Sequence, residues 1–304
     1  MRKVLMVVLT VVFAVSGGLL LRQRADDRQA QRSQEQARET AGLVQTLPSE
    51  PPEVPAQLPD EAVPLAPLPT EPEQPLPAEE QPIPEELPLE PEQPEQRPLE
   101  EQAQVLFDVD LAKLRQTNPD VVGWISIPGT QLDYPLLQGE DNQHYLKHTW
   151  QGERNAAGSV FLECKVSPEF EDFNTIIYGH NMKNGSMFGS LRQYRTQSHY
   201  EANPCIYIVN DDGVHRYEIF AAFEAEVVGH TYRLDLTTPE KQQIFLDYSA
   251  RKSVIETGIV PTVEDSVITL STCTGNGYDY RWVVQGVLTG TFTAPEPSVP
   301  EGEQ

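Results

Sequence analysis

Between Leu47 and Pro98 stand seventeen prolines, spaced by glutamate and glutamine and nearly free of aromatic and β-branched residues. Proline fixes φ and removes a backbone donor, so such a run supplies neither a helix interior nor a central strand. It also carries too little apolar surface to offset the entropy of ordering. The expected state is a solvated polyproline II spacer, stiffened by glutamate repulsion and able to reach roughly 160 Å at ~3.1 Å per residue. A docking site for a proline-binding module is the alternative use. This stretch divides the chain into a membrane-anchor or signal segment over 1–25, a disordered Pro/Glu-rich stalk over 26–103, one folded domain over 104–292 and a disordered tail over 293–304.

Charge follows the same division. The formal net charge of -24 comes largely from residues 47–101, which hold fifteen acids against the single base Arg97. Residues 102–291 carry fourteen bases and twenty-four acids, without the basic footprint that nucleic-acid phosphates demand. Nucleic acid is therefore not an expected partner.

Val4 to Leu21 is apolar apart from Thr10, Ser16 and two glycines, and is long enough to cross a bilayer as a helix. This predicts a single-pass protein with a cytoplasmic N-terminus and an extracellular folded domain. Arg22, Arg24 and Arg28 oppose that orientation under the positive-inside rule, and Ala14-Val15-Ser16 offers a cleavage site, so a cleaved signal peptide competes. Both readings export the rest of the chain.

The folded unit opens with a helical pattern, Phe107, Leu111 and Leu114 recurring at i, i+4 and i+7 until Asn118-Pro119 stops it. Eight β-rich runs follow, at Val121–Ile127, Asp133–Leu137, Gly158–Leu162, Thr175–Tyr178, Cys205–Val209, His215–Val228, Val267–Thr272 and Arg281–Thr291. Eight strands with few helices predict a mainly β fold, an eight-stranded closed or nearly closed barrel with peripheral helices. In the longest run, Tyr217, Ile219, Ala221, Phe223, Ala225 and Val227 alternate with Arg216, Glu218 and Glu224, the mark of a half-buried strand. Before the cysteine strand, Thr238-Pro239-Glu240 starts a helix running to about Lys252, with Ile244 and Tyr248 as its apolar face.

Three cysteines give no disulfide framework. Cys164 and Cys205 read as small buried hydrophobes. Cys273 instead ends a strand and precedes a Gly-Asn-Gly segment, which exposes its side chain at a barrel rim. If strands 267–272 and 281–291 pair as a hairpin, Arg281 stands almost opposite Cys273. A guanidinium there lowers a thiol pKa and holds a negative oxygen forming on an attacked carbonyl. His180 likewise follows a strand, at a strand-to-loop position. The other histidines, His144, His148, His199, His215 and His230, sit in polar settings and read as surface or capping residues. No zinc spacing and no Cys-x-x-Cys occurs, so neither metal nor cofactor is expected. Thiol, imidazole and guanidinium together are the parts of acyl transfer through a thioester.

Thr175 to Phe188 (TIIYGHNMKNGSMF) and Thr269 to Val284 (TLSTCTGNGYDYRWVV) resemble the histidine and cysteine–arginine motifs of class B sortases. The Gly123–Ile127 block and the Asn142-x-x-x-Leu146 segment resemble the same family, and the similarity spans roughly 105–291. The resemblance implies that Cys273 attacks the carbonyl after the threonine of a C-terminal sorting signal, that His180 shuttles the proton and that Arg281 stabilises the oxyanion. It implies sorting-signal-bearing surface proteins as substrates and a peptidoglycan cross-bridge amine or a pilin lysine as acceptor. Asn142, Leu146 and Ser271 match positions lining the signal groove. The helix before the cysteine strand matches one that frames it.

A papain-like or peptidoglycan-cleaving cysteine peptidase is the second enzyme reading. Chain order opposes it, because there the cysteine precedes the histidine and opens a helix. A stalked surface-binding barrel is the non-enzyme reading, under which the three side chains have no reason to converge.

Overall fold

Alternating apolar runs bury one face only if the sheet they form covers a core, and here the eight runs do so by closing on themselves. The computed structural model describes residues 24–43, 99–274 and 279–293, all within one compact unit. Its strands are β1 (Val121–Ser126), β2 (Asp133–Leu137), β3 (Val160–Leu162), β4 (Asn174–Tyr178), β5 (Cys205–Asn210), β6 (Gly213–Glu226), β7 (Val267–Cys273) and β8 (Tyr280–Phe292). The barrel order is β1-β2-β3-β4-β7-β8-β6-β5, with β5 returning to β1, as an eight-stranded reading requires. The seam depends on Gly123: a Cβ there would collide with the carbonyl oxygen of Val209 on β5.

Alternation places Ile125, Tyr134, Leu136, Ile177, Ile206, Ile208, Ile268, Leu270 and Val284 in one buried cluster that fills the barrel. The pattern of β6 changes face midway. Tyr217 and Ile219 join the interior cluster, whereas Ala221, Phe223 and Ala225 belong to an outer one with Phe245 and Leu246. The cause is a register shift between Ile219 and Ala221, where one extra residue turns the strand over.

Among the described residues, five α-helices surround the barrel: α1 (24–40), α2 (Leu99–Leu106), α3 (Leu111–Thr117), α4 (Gln197–Ala202) and α5 (Pro239–Lys252). The opening helix expected through Phe107, Leu111 and Leu114 is two helices. Asp110 caps the second, its carboxylate accepting from Lys113 N at 2.8 Å, which stops continuation from the first. On α5 the Thr238 cap and first-turn Pro239 form as expected, but the buried face is Phe245, Leu246 and Ser249, and Ile244 is half exposed.

Residues 26–40, assigned to the stalk on sequence, are helical and bound to the barrel. Ala30, Ala37 and Ala41 line one buried stripe, small enough for close approach but too weak in hydropathy to stand out from their polar neighbours. Polar contacts fix the register of α1. Trp150 Nε1 donates to the Ser33 carbonyl at 2.8 Å, Asn155 Nδ2 to the Asp26 carbonyl at 3.0 Å, and Arg38 Nε to Asp133 Oδ2 at 2.6 Å. Leu43 then packs in the same cluster as Ala103 and Leu106, and Asp110 N donates to the Ala41 carbonyl at 2.9 Å.

The described chain thus meets the barrel on both sides of the Pro/Glu stretch. Residues 44–98 themselves, the apolar run Val4–Leu21, the turn 275–278 and the tail 294–304 lie outside the described residues. Among the described residues no helix is long and apolar enough to cross a membrane. Replacing residues 45–97 by about ten glycines and serines should raise unfolding stability by about 1.5 kcal/mol, because loop-closure cost grows with the logarithm of length. Denaturant unfolding checks this. A loss of stability would show that the stretch contributes contacts of its own.

Candidate active site

Two strand pairings assemble the site. β4 and β7 run parallel, with Tyr178 beside Ser271, so both chains leave the barrel at one rim. Two residues further on, they deliver His180 and Cys273. Past the last pair the chains stay tied: Gly179 N donates to the Ser271 carbonyl at 3.2 Å and Thr272 Oγ1 to the Gly179 carbonyl at 2.7 Å. Asn181 Nδ2 donates to the Cys273 carbonyl at 2.6 Å. β7 and β8 then pair antiparallel with Cys273 directly opposite Arg281. Directly opposed Cβ atoms in such a pair stand ~5 Å apart. Cys273 is exposed and Arg281 partly so.

The imidazole has a fixed proton. His180 Nε2 lies 2.8 Å from the Leu146 carbonyl, and a carbonyl only accepts, so this nitrogen carries hydrogen and Nδ1 is left to exchange one. Leu146 ends a single 3-10 turn, His144–Leu146. Its backbone therefore orients the histidine. The loop after His180 doubles back, Met182 N and Phe188 N both donating to the His180 carbonyl, at 3.2 and 2.9 Å. Gly179 allows this, since a Cβ there would press into the Phe188 ring at 2.6 Å.

Tyr232 completes the rim. Its hydroxyl is 2.8 Å from Ser271 Oγ, and burial pushes its pKa up to about 12. The Ser271 bond and the Arg281 charge pull it down and Cys273 pushes it up, so all three groups act on this phenol. Asn142 reaches the site through a buried carboxylate. Its Nδ2 donates to Glu163 Oε2 at 2.6 Å, its Oδ1 accepts from Cys164 N at 2.8 Å, and Tyr178 OH donates to the same Glu163 oxygen at 3.0 Å. Burial, then the Glu163 charge, raises the Tyr178 pKa.

The structure thus gathers His180, Cys273 and Arg281 at one rim, with Leu146 and Ser271 beside them and Asn142 linked through Glu163 and Tyr178. Three contributors escaped the sequence reading. Tyr232 sits in a short turn, His230–Tyr232, with no periodic pattern around it. Asn181 is legible only as the neighbour of His180. Glu163 does leave a signal, a lone acid closing the apolar run Val160-Phe161-Leu162. Of the other thiols, Cys205 is buried and its pKa is pushed up to about 11, while Cys164 is half exposed rather than buried. His144 and His148 stack at 4.1 Å on the outer surface. No cluster of metal-ligating side chains occurs among the described residues.

The sequence model of the family described as "Sortase domain" matches residues 125–289. Sortase B of Listeria monocytogenes is 39% identical over 183 residues, 59% of this chain and 74% of that protein. The crystal structure of Staphylococcus aureus sortase B superposes with a TM-score of 0.58 at 33% identity, covering 64% of this chain and 93% of that one. A Staphylococcus aureus sortase B–substrate complex gives 0.56 at 35% identity, covering 59% and 84%. The barrel that brings strand ends 178 and 271 together is the one these enzymes share, and the chain belongs to the sortase family as a class B cysteine transpeptidase.

Proposed function

We propose that Cys273 is the nucleophile, His180 the proton-transfer group and Arg281 the oxyanion holder of this transpeptidase. The observation carrying this reading is the register Cys273↔Arg281 on a strand whose parallel neighbour delivers His180. His180 Nδ1 takes the Cys273 thiol proton, the sulfur adds to the carbonyl after the threonine of a sorting signal, and the carbonyl oxygen becomes negative against the Arg281 guanidinium. The peptide C–N bond breaks as His180 Nδ1 gives its proton to the leaving amine, leaving an acyl thioester on Cys273. An incoming amine loses its proton to His180 and displaces the thiolate. A wall cross-bridge amine and a pilin lysine both fit this step. A sortase B has been crystallised in complex with triglycine, a peptide with a free amine.

In the same reading Leu146, Ser271 and Asn142 shape the signal groove. Asn142 does so indirectly, its amide atoms being engaged by Glu163 and Cys164. The apolar run 4–21 anchors the protein with the barrel outside the cell. Because α1, described from residue 24 onward, docks on the barrel, the domain in this reading works close to the bilayer instead of at the end of a stalk.

The test is mass spectrometry of the protein mixed with threonine-containing sorting peptides, with and without added amine. An acyl adduct on the peptide bearing Cys273, discharged by the amine and absent in Cys273→Ala, is expected. Full turnover by Cys273→Ala would refute the assignment.

A further inference from the structure

Residues of the 181–188 loop help to line a polar cleft of about 820 Å³, together with Ser190, Arg192, Arg195 and His199, Lys183 being the loop's cation there. Three cations converge there in a domain whose overall balance is acidic. Among the described residues no carboxylate pairs with any of them, although Arg38, Arg115, Arg216, Arg233 and Lys241 all find acidic partners elsewhere. Like charges held together without a counter-charge repel, and a bound anion removes that repulsion.

The cleft also holds two unanswered polar atoms. Ser190 is 4% exposed and its Oγ has no hydrogen-bond partner, and the buried Nε2 of His199 has none either. Buried polar atoms are normally paired, so both retain capacity for a partner. The Arg195 guanidinium is fixed in advance, its carbon lying 4.6 Å above the centre of the Trp282 ring.

We propose that this cleft is an anion site for a phosphate group. Arginine forks at 192 and 195 match the oxygens of a phosphate, Lys183 adds a point charge, and the Ser190 hydroxyl and His199 Nε2 supply the remaining donors. A single carboxylate would leave most of these donors unused. The site is independent of the catalytic roles assigned to Cys273, His180 and Arg281. Burial lowers the His199 pKa, and a bound anion would offset that and favour its protonated form.

Isothermal titration of the full chain in detergent micelles tests the proposal, using inorganic phosphate, pyrophosphate, glycerophosphoglycerol and acetate as separate probes at low salt. Saturable binding of at least one phosphate probe is expected, weakening as salt rises. Preference among the three phosphates separates free phosphate, pyrophosphate and phosphodiester as the natural form. Lys183→Gln and Arg192→Gln, both at exposed positions and harmless to folding, should each weaken binding by about tenfold, as expected for losing a charged partner. Arg233→Gln, whose charge is already paired with Asp235, should not. Absence of saturable binding to every phosphate, equal affinity for acetate, or indifference to Lys183→Gln and Arg192→Gln would each overturn it.

Discussion

Replacing Arg281 with alanine is expected to lower kcat/KM for a sorting peptide by about 10²–10³, the effect of removing one oxyanion donor, with folding intact. The position explains both halves of that expectation. Arg281 stands opposite Cys273 at the end of the β7–β8 pairing, where the chain is still held by the ladder and the side chain is partly solvated. Deleting the guanidinium therefore leaves no cavity. In the structure Arg281 Nη1 donates to the Tyr280 carbonyl at 2.9 Å, so the group stays at the rim. Arg281→Lys keeps the charge but loses the planar fork, and should recover only part of the rate. Steady-state kinetics with a quenched peptide measures this. Wild-type kcat/KM in Arg281→Ala would remove Arg281 from the mechanism.

Asp133→Ala is expected to cost about 3 kcal/mol of stability, from an orphaned buried donor and a lost charge-assisted bond. Asp133 is buried and joins two parts of the molecule. Oδ1 accepts from the indole Nε1 of Trp124 at 2.6 Å, inside a residue with no solvent exposure, and Oδ2 accepts from Arg38 Nε of α1 at 2.6 Å. Alanine leaves the indole N–H without an acceptor and frees Arg38. For a domain of this size the melting temperature should fall by about 10 °C. Asp133→Asn retains an acceptor for Trp124 and should lose less. Calorimetry of the three proteins decides it, and an alanine variant as stable as its parent would show that α1 is held by its alanine stripe alone.

Much of the barrel was legible because strand signals are local. Each of the eight runs carries its own alternation or β-rich composition bounded by turn residues, and the observed strand ends differ by no more than two residues. Cys273 and His180 were legible for the same reason, both standing where a strand signal stops. Arg281 required only the assumption that adjacent strands form a hairpin. Tyr232 and Asn181 carried no such mark, because their roles come from contacts between distant segments: Tyr232 with Ser271 and Asn181 with the Cys273 carbonyl.

By itself the sequence determined the eight-stranded β domain and the thiol, imidazole and guanidinium at strand ends. Composition and short-range periodicity are sufficient for those. Only the tertiary structure decided that β6 turns over at its bulge, that α1 belongs to the folded unit, and that the described residues on both sides of the Pro/Glu interval pack in the same cluster. Each of these depends on which surface a segment finds to cover, and the alanine stripe of α1 is apolar enough to bind only where Trp150, Asn155 and Asp133 already wait with matching hydrogen bonds.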